Sequence, residues 1–275
     1  MRKKNVDSGA VACMINAEIG VVLAVMRRNA RWTGSYVADD DQWEHSLVHS
    51  LKSLRRKIFA WNQPWKDIDP HLYIQPFLDV IRSDETSAPI TGVALSAIYN
   101  ILSYEAFDLT TSHIAEAMHG LVEAITSCRF EVIDPASEEV VLMKILQVLL
   151  AIMKHEGSKV LNDKDLCLVV NTCFRVVHQA STKGELLQRT ARHSMHEIVR
   201  VIFTRLPELQ PPLKNLSGNG SSTPSNNNNI VCEWLQLFSV FFFWSPLVRF
   251  NVLSPLVGFN DFSPSTKGSR FPPLL

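Results

Sequence analysis

The chain has 275 residues, 46% of them hydrophobic, enough for one large domain or two small ones with a sizeable core. Its 27 basic and 27 acidic side chains cancel to a net charge of zero. That balance argues against a nucleic-acid binder that works by neutralising phosphates, and leaves room only for a local basic patch.

The N-terminus, MRKKNVDSGAVACMINAEIGVVLAVMRR, has the basic start and apolar stretch of a secretion signal. Asn16 and Glu18 interrupt the apolar run, however, and Arg27 and Arg28 follow it directly. The pattern predicts an amphipathic first helix over about 9–29 instead. A second helix is expected over about 42–60, after the acidic cap at 39–41, with Trp43, Leu47, Leu51, Leu54 and Ile58 at helical spacing. The loop NQPWKDIDP leads to Asp69-Pro70, a cap followed by a proline suited to the first helical position. The third helix carries HLYIQPFLDVIRS, and Pro76 predicts a kink or a late start. After the turn SDETSAP, Pro89 heads the fourth helix, ITGVALSAIYNILS. Thr110 or Thr111 is expected to cap the fifth, which runs to about Cys128.

The sixth helix lies in DPASEEVVLMKILQVLLAIMKHEG, residues 134–157. Asp134 caps it, Pro135 occupies the first position, Glu138 and Glu139 suit the dipole, and Gly157 is the expected stop. Its polar positions Lys144, Gln147 and Lys154, with Ala151 between them, form one narrow stripe. All other directions are apolar, so the helix must be an internal layer of a stack. Asn162 is expected to cap the seventh helix, DKDLCLVVNTCFRVVHQA. Lys183 to Leu206 makes the eighth, stopped by Pro207. Eight helices without a convincing strand predict an all-α fold, an α-solenoid of the armadillo/HEAT-like kind over 1–207.

Residues 208–229, rich in Pro, Ser, Gly and Asn, read as a disordered linker. Its triplets at Asn215 and Asn219 are taken as chance glycosylation matches. Residues 230–275 form a hydrophobic tail, expected to be unstructured or aberrant. It is near the length of a membrane span but holds Glu233, Gln236 and Pro246. A tail anchor and a terminus unrelated to the fold, such as sequence read through a splice junction, both stay open.

No phosphate-cradling glycine loop, G-x-S-x-G, H-E-x-x-H or paired CxxC occurs, and no cofactor is expected. His45 and His49 lack a third ligand and read as a solvated helix face, and His193, His196 and Glu197 read as a polar face or a local ion-pair cluster. The five cysteines, Cys13, Cys128, Cys167, Cys173 and Cys232, are odd in number and scattered. All but the last lie in apolar runs, and they read as reduced core thiols of a cytosolic protein. What remains is surface for partners. Trp32 and Tyr36 flank a glycine, and Trp61 and Trp65 flank NQP. Aromatics beside helix ends either anchor a protein interface or plug gaps between helices. The basic runs RRNAR and LKSLRRK read as a solvated face or a contact for anionic lipid or an acidic partner.

Long strings carry a resemblance. QPFLDVIRSDETSAPITGVALSAIYNIL, TSCRFEVIDPASEEVVLMKILQVLLAIMK and VVNTCFRVVHQASTKGELLQRTARHSMHEIVR resemble the N-terminal region of the plant GNOM-type large ARF guanine-nucleotide exchange factors. The resemblance covers about 10–207. It implies a DCB domain, named for dimerization and cyclophilin binding. It further implies an α-solenoid that pairs with another copy of itself or with a downstream helical domain. The expected setting is cytoplasmic, with peripheral recruitment to Golgi or endosomal membranes and an indirect link to ARF GTPases. The family's separate exchange domain is absent from this sequence. FTRLPELQ at 203–210 differs from the family's FRLPGE motif, so Glu208 takes no catalytic role. The expectation is therefore a regulatory interaction module, not an enzyme, with no nucleic-acid partner.

Overall fold

The structure, a computed structural model, describes residues 7–28, 45–132 and 134–209. Within them lie eight α-helices: α1 (Ser8–Arg27), α2 (Ser46–Lys57), α3 (His71–Arg82), α4 (Ala88–Ser103), α5 (Ile114–Thr126), α6 (Pro135–Lys154), α7 (Asp163–Ala180) and α8 (Glu185–Leu209). Short 3-10 segments follow α2, precede α3 and follow α6. The described residues contain no β-strand, only an isolated bridge between Ser87 and Glu131. The fold is all-α.

Helix contacts sort the eight into two layers. One is α1, α4, α6, α8 and the other α2, α3, α5, α7, each helix packing on the next in its layer. Cross-layer contacts join α1 to α2, α3 to α4, α5 to α6 and α7 to α8. The first pair enters on the α4 layer and the other three on the opposite one, so the first repeat runs in reverse. Neighbours within a layer are also tied by polar links. Asn100 Nδ2 donates to Glu18 Oε1 at 2.8 Å, Lys144 Nζ to Ser96 Oγ, and Lys154 Nζ lies 3.1 Å from Glu197 Oε2. In the other layer Arg82 pairs with Glu123 at 3.0 Å, and His119 Nδ1 lies 2.6 Å from Asp165 Oδ1.

The apolar sixth helix is thereby explained. α6 sits between α4 and α8 in its own layer and leans on α5 and α7 in the other. Val141, Leu142, Ile145, Leu146, Val148, Leu149, Ile152 and Met153 are buried. Its polar stripe is the open side, with Gln147 and Lys154 exposed, and from it Lys144 reaches α4 and Lys154 reaches α8. Asp134 caps the helix as its sequence predicts, accepting the Ser137 N–H at 2.8 Å. Those same Ser137 bonds hold the Asp134 carboxyl below its usual pKa. Glu138 and Glu139 do more than suit the dipole. Lys183 Nζ donates to Glu138 at 2.7 Å, and the Gly184 N–H donates to Glu139 at 2.9 Å. The start of α6 thus clamps the turn into α8 and supplies that helix with a cap from another part of the chain.

Several local expectations need correction. α2 begins at Ser46, with His45 Nδ1 accepting the Leu47 N–H at 3.2 Å, because the imidazole sits where a cap belongs. The acids at 39–41 and Trp43 lie outside the described residues. α3 continues through Pro76, which costs only the rung ending on the Leu72 carbonyl. α5 starts two or three residues late, with His113 in the cap position expected for Thr110 or Thr111. Thr110 and Thr111 close a turn on Asp108 instead, and His113 enters the helix with φ 54°. Gly157 does not stop α6, which ends at Lys154. Gly157 is buried in the next turn, where a Cβ would lie 3.0 Å from His155 Nδ1 and 3.3 Å from Met118 Sδ. α8 runs through Pro207 to Leu209, since a proline near a helix end removes one hydrogen bond without forcing a stop. The Asn162 cap of α7 is present as a full capping box with Asp165.

The first helix is not amphipathic as expected, because its buried and exposed sides are both apolar. Val11, Ala12, Ile15, Ile19, Val22, Leu23 and Met26 are buried. The opposite side, with Ala10, Cys13, Ala17, Val21 and Ala24 exposed, is also apolar. α1 is long and apolar enough to cross a membrane, yet here it packs on α2 and α4. The thiols are likewise not uniformly core. Cys13 is exposed, Cys128 lies in the loop after α5, and Cys173 is fully buried. Burial pushes the Cys128 and Cys173 thiols up to about 12, so both resist forming the reactive thiolate.

Candidate protein-interaction surface

The loop from Ile58 to Pro70 carries the aromatic residues that composition singled out. The 3-10 turn Trp65–Asp67 is anchored from below, because the Trp65 N–H donates to Ser8 Oγ at 3.2 Å, at the start of α1. The Trp65 ring is then packed between two others. Its centroid is 5.7 Å from Trp61, tilted 58°, and 5.1 Å from Tyr73, tilted 45°. Both separations suit tilted aromatic contacts. Trp65 is only 3% exposed and Tyr73 fully buried. Neither the Trp65 Nε1–H nor the Tyr73 hydroxyl makes a hydrogen bond of good geometry. Burial raises the Tyr73 pKa far above its usual value, and the nearby Trp65 indole offsets part of that rise.

The sequence therefore grouped two unlike residues. Trp65 fills the gap between α1 and α3 and cannot be reached from outside. Trp61 rests on it half-buried, with one side free. Trp32 and Tyr36 lie outside the described residues. Two further side chains near this loop in the sequence escaped notice, Phe59 at 56% exposed and Leu72 at 54%. Leu72 breaks the buried spacing of α3, set by Tyr73, Ile74, Phe77, Val80 and Ile81, and that mismatch was the available signal.

The remaining polar groupings are structural. His45 caps α2 and meets Glu85 at 3.0 Å through its other nitrogen. Glu197 pairs with Lys154 and Arg200, both at 3.1 Å, and these partners hold its carboxyl below the usual range. His196 stands 3.9 Å away from it. Among the described residues no three metal-ligating side chains come together. A shallow groove of about 380 Å³ runs between α5 and α7, past Glu123, Leu168 and Asn171. Arg175 at its edge donates to the Thr126 carbonyl at 3.2 Å, so its charge is spent on the end of α5. Helix faces and one aromatic shelf are what this surface presents.

Comparison with known proteins agrees. The chain is 66% identical over 205 residues to the ARF guanine-nucleotide exchange factor GNL1 of Arabidopsis thaliana, covering 74% of this chain and 14% of that protein. Identity to the ARF guanine-nucleotide exchange factor GNOM of the same plant is 65% over 204 residues, with the same coverage. A Golgi-specific brefeldin A-resistance guanine nucleotide exchange factor 1 homolog from Caenorhabditis elegans is 34% identical over 142 residues, 51% of this chain and 7% of that protein. The chain thus spans about a seventh of the length of its plant relatives. Residues 45–208 match the Mon2/Sec7/BIG1-like dimerisation and cyclophilin-binding domain, DCB, and the chain belongs to that family.

Proposed function

We propose that this chain is the regulatory, protein-interaction part of an ARF exchange factor, working by association of helix faces and without exchange activity of its own. The observation that carries it is the DCB match over 45–208, residues that the structure folds into stacked helix pairs. The partners proposed are a second copy of the chain or another DCB domain, a downstream helical domain of an exchange factor, and a cyclophilin. ARF GTPases and Golgi or endosomal membranes are reached indirectly, from the cytoplasm. Residues 1–207 carry the module, 208–229 link it onward, and 230–275 take no part in it. Trp61 is the proposed anchor on this surface, with Trp65 beneath it as support. Aromatics seated this way lose little entropy on binding. Trp32 and Tyr36 are proposed as further contacts.

Sedimentation of the full chain at micromolar concentration tests the reading, together with its capture of the helical domain downstream of the matched region in GNOM. Association in either assay is expected, weakened about tenfold or more by Trp61→Ala. A strict monomer that also ignores that domain overturns the reading. The same chain added to ARF loaded with fluorescent GDP should leave the release rate unchanged. Acceleration would assign it exchange activity and favour the alternative, an active exchange factor.

A further inference from the structure

α2 closes one edge of its layer, with α3 on one side and no helix of the described residues on the other. The stretch from Ser46 to Lys66, α2 and the loop after it, holds Lys52, Arg55, Arg56, Lys57 and Lys66 and no acid, although the chain as a whole is neutral. Arg55 is committed, donating to Asn16 Oδ1 of α1 at 3.1 Å. Arg56, Lys57 and Lys66 are exposed and reach no acid among the described residues. Elsewhere helix arginines are taken up, Arg82 by Glu123, Arg189 by Glu185 and Arg200 by Glu197. Exposed apolar surface lies in the same stretch. Phe59, in the 3-10 turn directly after Lys57, is 56% exposed, and half-buried Trp61 rests on Trp65.

We propose that this edge binds the surface of an anionic phospholipid membrane directly. Phe59 and Trp61 enter the headgroup layer, and Arg56, Lys57 and Lys66 meet its negative charges. This contact is separate from the helix-face association above and reaches the bilayer without an intermediary. Each Lys or Arg close to such a surface strengthens binding about fivefold, and aromatic rings seat at the boundary with the hydrocarbon. The attachment is therefore peripheral, reversible and sensitive to salt.

The neighbouring charges keep the sign. Asp7 and Asp69 accept the N–H groups of Gly9 and His71 at the starts of α1 and α3, which leaves Asp67 against the three free cations. The bond from the Trp65 N–H to Ser8 Oγ sets the start of α1 beside this loop. Arg2, Lys3 and Lys4 lie within six residues of Ser8 and add positive charge at this end. Glu44 and the acids at 39–41 lead into the opposite end of α2. Ser46 and Arg56 are roughly 15 Å apart along that helix, nearly twice the Debye length of about 8 Å at physiological salt. Arg56 and Lys57, successive helix residues, project about 100° apart, which suits a wide anionic plane better than one carboxylate. The neutral chain as a whole speaks against nucleic acid as the anion.

The full chain should co-sediment with phosphatidylcholine vesicles containing roughly a third phosphatidylserine, less so as salt rises, and not with pure phosphatidylcholine vesicles. Arg56→Glu with Lys57→Glu should weaken binding at least tenfold and keep the helical circular dichroism and melting curve. Lys66→Glu, outside any α-helix, repeats the test where the first variant disturbs α2, and should weaken binding about fivefold or more. Phe59→Ser should lower binding severalfold and leave its salt dependence unchanged. Absent binding to the anionic vesicles overturns the proposal. So does equal binding to neutral ones, the result expected if the hydrophobic residues 230–275 were the contact. Binding that both charge variants leave unchanged overturns it too. Binding to soluble polyglutamate without binding to the vesicles would make an acidic protein the occupant and overturn the membrane.

Discussion

Leu149→Ala tests the stacking that everything else depends on. Leu149 is 0% exposed in the middle of α6. Shortening it removes three carbons, and at about 0.8 kcal/mol per buried methylene the transfer loss alone is about 2 kcal/mol. A cavity adds to that, and the size of the addition depends on how far neighbours can move in. Here they are held. α6 is tied to α4 through Lys144 and Ser96 and to α8 through Lys154 and Glu197. The expected total is therefore in the upper part of the usual range, about 3–5 kcal/mol. For a domain of this size that is a fall of roughly 6–20 °C in melting temperature. The assay is thermal and urea unfolding of the full chain, followed by helical circular dichroism. Val140→Ala, on the same helix but 44% exposed, is the control and should cost no more than about 0.5 kcal/mol. If the two variants melt together, α6 is not an internal layer and the stacking argument fails.

Glu105 follows the last residues of α4 with φ 52°, in the left-handed region that suits glycine. Glu105→Gly should raise stability by about 0.5–1 kcal/mol, read as a higher urea midpoint, and a lower one would mean the carboxylate does more than the backbone loses. The His155 ring packs tilted against Phe107, centroids 5.0 Å apart, and its Nδ1 accepts the Gly157 N–H at 3.0 Å. Burial holds its pKa below the ordinary 6.5, although Glu105, Glu156 and Asp108 pull the other way. The unfolded chain therefore takes up a proton that the folded chain refuses. Stability should fall as pH drops from about 6.5 towards the lower folded value, and change no further from this group beyond it. Unfolding midpoints at pH 7.5 and 5.5 should differ less in His155→Gln, and an unchanged difference would remove His155 as the cause.

Much of the architecture was written locally. The Asp134-Pro135 start, the Asn162 capping box and the buried spacing of α6 each depend on residues within one or two turns, so a sequence displays them directly. Where a local rule misled, a competing partner had won. Asp108 took Thr110 and Thr111 away from α5. The candidate surface was half legible. Aromatic clustering singled out this loop, but it could not separate half-buried Trp61 from Trp65, which Tyr73 and Ser8 hold inside.

The sequence by itself determined that the chain is helical, where most helices begin, and that the sixth must be covered. Only tertiary structure decided the two layers, the reversed first pair, the clamp of Glu138 and Glu139 on the turn before α8, and the apolar outer side of α1. The physical reason is range. Caps and periodicity act between residues three or four apart, whereas layer order and exposure follow from which distant surfaces exclude water together.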